Sequence, residues 1–172
     1  MMMILITTSR NPSQRTRHFI NELIKCIPGS AKLNRGKTPL RLLLGRSVDD
    51  TVIQVVERSG NPAAINVYRR GKLEIGMELR GVKLLQDMHV VRHRPASSLV
   101  MVGTAWVADA LSQALGVQLY PSVDPGELRG VSDAIAVMMR TEYGWRLEFL
   151  DGLDLGPCGP AISISGVEAV TL

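Results

Sequence analysis

The chain reads as an α/β protein of two similar halves, each a mixed β-sheet with flanking helices. Three observations carry that expectation. A short apolar strand runs into a segment of helical periodicity at the start of the chain. Runs with period-two alternation, separated by turn residues, follow it as in an antiparallel meander. The same succession returns roughly 85–95 residues later, the self-similarity of a repeated unit.

The first half, about 1–88, opens with Ile4-Leu5-Ile6, a buried strand that ends at Thr7-Thr8-Ser9. Ser9 or Asn11 can cap the helix that follows, and Pro12 suits its first turn. Phe19, Ile20, Leu23, Ile24 and Ile27 keep helical spacing until Pro28-Gly29 stops it. A short strand near 31–33 and a helix near 39–46 come next. Strands at 52–57 and 64–69 flank the turn Ser59-Gly60-Asn61-Pro62. After Arg70-Gly71-Lys72, the apolar residues Leu73, Ile75, Met77 and Leu79 alternate with Glu74, Glu78 and Arg80, the pattern of a half-exposed strand.

The second half, about 97–172, repeats the plan. Leu99-Val100-Met101-Val102 is its opening strand, and Trp106, Val107, Ala110, Leu111, Ala114 and Leu115 its helix, ended by Gly116. Residues 133–138 parallel 50–55, Glu142-Tyr143-Gly144 turns, and Trp145, Leu147 and Phe149 alternate. Residues 162–167 echo 77–82. The segment 87–98, with Arg92-His93-Arg94-Pro95, joins the halves within one domain spanning 1–172.

The 172 residues suffice for such a domain, and 45% hydrophobic with 21% charged residues exclude a disordered tail, a fibre and a disulfide scaffold. The longest apolar runs are too short to cross a bilayer, so no membrane association is expected. The opening residues lack the charged n-region of a signal peptide. Cys26 and Cys158 stand at no metal or redox spacing, which fits a reducing compartment and a cytoplasmic location.

Charge is distributed unevenly. Residues 1–95 hold 17 Lys or Arg against 7 Asp or Glu, whereas residues 96–172 hold 3 against 9. The excess concentrates in residues 1–47, where nine basic residues face one acid, Glu22. Such a block is the electrostatic footprint of a polyanion-binding face.

Within that block, Thr8-Ser9-Arg10-Asn11-Pro12-Ser13-Gln14-Arg15-Thr16-Arg17 combines a turn, a helix N-terminus and three arginines. Free N–H groups and the positive dipole end suit a phosphate, and guanidinium groups grip its oxygens in two-point geometry. Asn34-Arg35-Gly36-Lys37 is the second candidate, a loop whose glycine permits close backbone approach between two cations and an amide. Arg69 and Arg70, at a hairpin turn, can extend the basic track.

Other chemistries find less support. Residues 31–38 end like a nucleotide-binding loop around Lys37, but Ala31 replaces the first glycine and a Pro-Gly break precedes it. His89 and His93 have metal-compatible spacing without an accompanying carboxylate or thiol cluster. Asp49-Asp50 and Asp151/Asp154 are explained by a junction and a turn. There is no Ser/His/Asp or Cys/His signature, so neither an enzyme nor a cofactor is expected. Phe19, Trp106, Trp145 and Phe149 fall at apolar-periodic positions and read as core, leaving Tyr68 as the exposed candidate for base stacking.

The stretch 4–13, then Arg15, Phe19, Leu23, Pro28 and Asn34-Arg35-Gly36, resembles the opening of the Brix-domain family in its compact archaeal form. The branch most similar includes the small-subunit processome member that associates with pre-rRNA. The resemblance covers nearly the whole chain and implies two halves like the anticodon-binding domain of class II aminoacyl-tRNA synthetases. It also implies a non-catalytic role in ribosome assembly, with pre-rRNA or rRNA and assembly proteins as partners. The candidate RNA-binding set is Arg10, Ser13, Arg15, Arg17, Asn34, Arg35, Lys37, Arg69 and Arg70. The alternative is a protein scaffold that docks a partner on the acidic second half or on an unpaired edge strand at 162–165. A nucleotide hydrolase ranks third.

Overall fold

Ten strands hydrogen-bond into one mixed sheet in the computed structural model, which describes residues 3–92, 94–121 and 124–170. In chain order the elements are β1 (Ile4–Thr8), α1 (Gln14–Cys26), β2 (Ser30–Lys32), α2 (Leu40–Arg46), β3 (Thr51–Arg58), β4 (Asn61–Arg69) and β5 (Lys72–Lys83). Then come β6 (Leu99–Val102), α3 (Trp106–Leu115), β7 (Gln118–Tyr120), β8 (Ala134–Thr141), β9 (Gly144–Asp151) and β10 (Ala161–Ala169).

From one edge the strands run β2-β1-β3-β4-β5, and from the other β7-β6-β8-β9-β10. The central strands β5 and β10 meet antiparallel. β1 pairs in parallel with β2 and β3, and β6 with β7 and β8, because a helix or longer connection intervenes each time. The meanders β3-β4-β5 and β8-β9-β10 are antiparallel, with tight turns at Ser59-Gly60, Arg70-Gly71 and Glu142-Tyr143 and a longer loop between β9 and β10.

The main core lies on one face of this sheet. α1 buries Phe19, Ile20, Leu23 and Cys26 at helical spacing, and α3 buries Val107, Ala108, Leu111 and Ala114. Both helices cover alternate strand residues, among them Ile53, Val55, Ile65, Val67, Ile75, Met77, Leu147, Phe149 and Ile162. Each fully buried Ile or Phe side chain contributes about 1.5–3 kcal/mol. The intervening residues of β8, Ile135 and Val137, form a smaller cluster with Val102 and Leu128. The one buried residue of α2, Leu43, lies outside the main core.

Three expectations are corrected. The segment 162–165 is no edge strand: β10 pairs with its preceding strand β9 over Ile162–Ile164 and along its length with β5, a partner from the other half of the chain that no local pattern announces. Trp106 is not core; it stands at the start of α3, 52% exposed, with its ring edge-on to Trp145 at 6.0 Å. Tyr143, 65% exposed at a hairpin tip under the Arg80 guanidinium, is more open than Tyr68, which is half-buried. The edge strand β7 has no counterpart in the sequence reading, and His93 of the His89/His93 pair lies outside the described residues.

The joining segment is held down by charge. Arg92 reaches Asp151 at 2.5 Å, and Arg94 reaches Asp133 at 2.8 Å. Both arginines are paired with carboxylates of the second half.

Candidate nucleic-acid interface

The chain leaves β1 through α1 to β2, then crosses back through α2 to β3 on the other side of β1. Two parallel crossovers in opposite directions go to opposite faces under the right-handed rule. A crevice therefore opens beyond the carboxyl ends of β1 and β2, the usual ligand position in such sheets. The structure has a cleft of about 370 Å³ there.

Its walls are the loop from Thr8 to Pro12 and the loop from Lys32 to Gly36, with Arg17 from the first turns of α1. Among the described residues, four cations line it, Arg10, Arg17, Lys32 and Arg35, together with the amide of Asn34 and no carboxylate. Arg10, Arg17, Lys32 and Asn34 are exposed. Arg35 is half-buried; its Nε donates to the Thr8 carbonyl at 3.0 Å and Nη1 to the Thr38 carbonyl at 3.5 Å. That side chain ties the two walls together and presents fixed positive charge to the space between them. Gly36, at φ +54°, takes the left-handed backbone that turns the second wall.

Glu57, beside the start of α1, is held ionised by hydrogen bonds within the fold. Glu57 accepts the Thr16 hydroxyl at 2.6 Å and the Ser13 N–H at 2.8 Å, and these bonds hold its carboxyl below the usual range.

The other candidates lie elsewhere. Ser13 is the N-cap of α1: its Oγ accepts the Thr16 N–H at 3.1 Å and donates to the Gly60 carbonyl at 2.7 Å. The helix start expected to offer free N–H groups is thus partly satisfied by Ser13 and Glu57. Arg15 is turned inward, donating to the Val82 carbonyl at 2.8 Å and to Asp87 at 3.0 Å. Lys37 is exposed in the loop before α2 but does not line the cleft.

Arg69 and Arg70 sit at the other end of the strands. Arg69 pairs with Thr51, whereas Thr8 at the cleft pairs with Val55, a separation of about 13 Å along the strand. Arg69 donates to the Gln113 carbonyl of α3 at 2.8 Å and lies 3.6 Å from Glu74. Arg70 is exposed in the β4–β5 turn, beside Asp49 and Asp50. Lys32 is the cleft residue that sequence reasoning missed. Its signal was its position two residues before Asn34, at the carboxyl end of the strand feeding that loop.

No family model matches the chain. Individual proteins do. A probable Brix domain-containing ribosomal biogenesis protein of Pyrobaculum aerophilum is 32% identical over 95% of this chain and 94% of its own length. One from Methanothermobacter thermautotrophicus is 32% identical over 86% of this chain and 88% of its own. The crystal structure of a probable ribosomal biogenesis protein from Aeropyrum pernix K1 superposes with a TM-score of 0.78 at 26% identity, covering 99% of this chain and all of that one. That of Mil, an archaeal Imp4-like protein, gives 0.70 at 27% identity over 96% of this chain and 99% of its own. Sequence similarity and fold agree along nearly the full length, and the chain belongs to the family of Brix domain-containing ribosomal biogenesis proteins.

Proposed function

We propose that the protein is a non-catalytic RNA-binding factor of ribosome assembly, whose cleft holds the sugar-phosphate backbone of rRNA or pre-rRNA during processing. The observation that supports it most is four cations around a cleft without a carboxylate, at the carboxyl ends of β1 and β2. Arg10 and Arg17 take phosphate oxygens in two-point contacts, Lys32 acts as a point charge, and Arg35 ties the two loops together while adding charge. Asn34 offers an amide to sugar or phosphate. Contacts of this kind position RNA and carry little sequence information. The two runs of five strands are taken as a duplicated unit, about 1–88 and 97–172, with the basic cleft specific to the first. Assembly proteins are the expected further partners and the cytoplasm the expected location.

Binding of a labelled fragment of small-subunit rRNA, measured by fluorescence anisotropy across a salt series, tests the assignment. Four phosphate contacts give a log–log slope of about −3, and each of Arg10→Ala, Arg17→Ala and Lys32→Ala removes roughly 0.7–0.9 from it. A slope unchanged in all three variants refutes the cleft as the site.

The second reading is a protein scaffold, favoured by Trp106 exposed next to Ala105 on a mainly apolar cleft of about 310 Å³ in the acidic half. Partners retained from RNase-treated extract support it, and partners lost with the RNA support direct RNA binding.

A further inference from the structure

Three segments meet at one buried seam: the last turn of α1, the joining segment and the approach to β10. The Ala96 N–H donates to the Lys25 carbonyl at 2.7 Å. Cys26, the last residue of α1, donates its thiol to the Cys158 carbonyl at 3.3 Å, across 132 positions of sequence. Cys158 is itself fixed by its N–H, which donates to the Phe149 carbonyl of β9 at 2.9 Å. Both thiols are free, and they are 1% and 2% exposed.

The backbone is shaped around this contact. A Cβ on Gly159 would collide with Cys26 Sγ and press on Phe149 Cβ at 3.1 Å, so only glycine lets the chain pass that close to the sulfur. Arg92 adds charge to the seam. Its side chain is 10% exposed, its Nη2 has no hydrogen-bond partner among the described residues, and its charge favours the thiolate form of both cysteines.

We propose that Cys26 and Cys158 are a dithiol that closes into an intramolecular disulfide, a reversible covalent staple between α1 and the segment entering β10. The contact with Cys158, and then burial, keep the Cys26 thiol protonated, whereas the contact with Cys26 and the charge of Arg92 draw the Cys158 thiol down. Cys158 lies in the glycine- and proline-rich segment 152–160, whereas Cys26 is fixed in the last turn of α1, so Cys158 is the first nucleophile of the proposed sequence. Its thiolate attacks a small-molecule disulfide such as oxidised glutathione, a new S–S bond forms, and one glutathione thiolate leaves. Cys26, deprotonated in turn, attacks the Cys158 sulfur of that mixed disulfide and expels the second glutathione thiolate. The two cysteines lose two electrons and two protons, and the oxidant gains them as two thiols. Residues 152–160 hold three glycines and two prolines, and local opening of this loop admits the oxidant.

The experiment treats the purified protein with excess oxidised glutathione, then compares it with the reduced form by intact mass, non-reducing peptide mapping and thermal melting. The expected product is about 2 Da lighter and yields one peptide pair joined through Cys26 and Cys158. It melts on the order of 5–15 °C higher, reversibly on adding dithiothreitol. Cys26→Ser and Cys158→Ala lose both the mass change and the gain in melting temperature. Two titratable thiols after prolonged oxidation, glutathione adducts or intermolecular dimers alone, or a cross-linked form that melts no higher than the reduced one, would each overturn the proposal.

Discussion

The Arg15 guanidinium lies 3.0 Å from Asp87 and donates to the Val82 carbonyl at 2.8 Å, so one side chain binds α1 to the segment leaving β5. Asp87 also accepts the Leu84 N–H, and that bond, then Arg15, holds its carboxyl below the usual range. Both partners are about a third exposed, which limits what the ion pair adds.

Arg15→Ala therefore lowers stability by about 1–2 kcal/mol. The melting temperature falls by roughly 2–6 °C. The salt dependence of RNA binding stays as in the parent protein, because Arg15 faces the fold and not the cleft. Thermal melts beside the anisotropy series check both halves of this statement; a reduced slope would return Arg15 to the site.

Arg69 and Arg70 separate in the same way. Arg69 donates to the Gln113 carbonyl in the last turn of α3, where a cation also meets the negative end of the helix. Arg69→Ala costs about 1 kcal/mol in a urea titration. Arg70→Glu, on an exposed turn at the far end of the strands, leaves the RNA affinity and its salt slope unchanged. A weakened slope in Arg70→Glu would mean that the RNA track runs the length of the strands.

The elements that proved legible were those whose signals are local. α1 announced itself through the spacing of Phe19, Leu23 and Ile27, and β5 through the alternation of Leu73, Ile75 and Met77. The roles of Ser13 and Arg15 were not legible, because Glu57, Gly60, Val82 and Asp87 reach them from 44 to 72 positions away. Trp106 kept an apolar spacing but stands on the first turn of its helix, where the sheet no longer covers it. The centrality of β10 and the contact between Cys26 and Cys158 likewise depend on pairing across the whole chain. For the cleft, the charge block pointed to the right region; only the crossing of α1 and α2 around β1 shows which cations share a space.

The joining segment supplies a sharper test of stability. Arg92 is 10% exposed and reaches Asp151 at 2.5 Å and Asp133 at 4.0 Å. Removing Arg92 leaves Asp151 and Asp133 to Arg94 and to backbone N–H donors, at a cost of about 3 kcal/mol, the lower end for breaking a buried pair. Arg92→Ala should thus be the most damaging single loss of a cation in the chain, well beyond Arg94→Ala, whose side chain is 59% exposed. Chemical denaturation of the two variants under reducing conditions ranks them; equal losses would show that Arg92 is not the anchor.

Acid stability has a definite sign. Glu57, Asp87, Asp133 and Asp151 all hold their carboxyls low. Thr16 and Ser13 act on Glu57, Leu84 and Arg15 on Asp87, and Ser97 and Arg94 on Asp133. At Asp151 burial pushes upward, but the N–H groups of Leu153 and Asp154 and the charge of Arg92 outweigh it. Such groups stabilise the fold above their ordinary values of 3.8 for Asp and 4.5 for Glu, and the gain is lost as pH falls through the lowered folded values. Glu22 runs the other way. Burial raises it despite the hydrogen bond from the Leu85 N–H, so the folded state takes up its proton first and its contribution improves as pH falls. The melting temperature should therefore hold between neutrality and about pH 5 and drop steeply below about pH 4. Glu22→Gln, neutral yet still able to accept from Leu85, should melt above the parent at pH 7, with the difference closing on acidification. A difference that stays constant from pH 7 to the acid limb would show that the Glu22 charge is not what the fold resists.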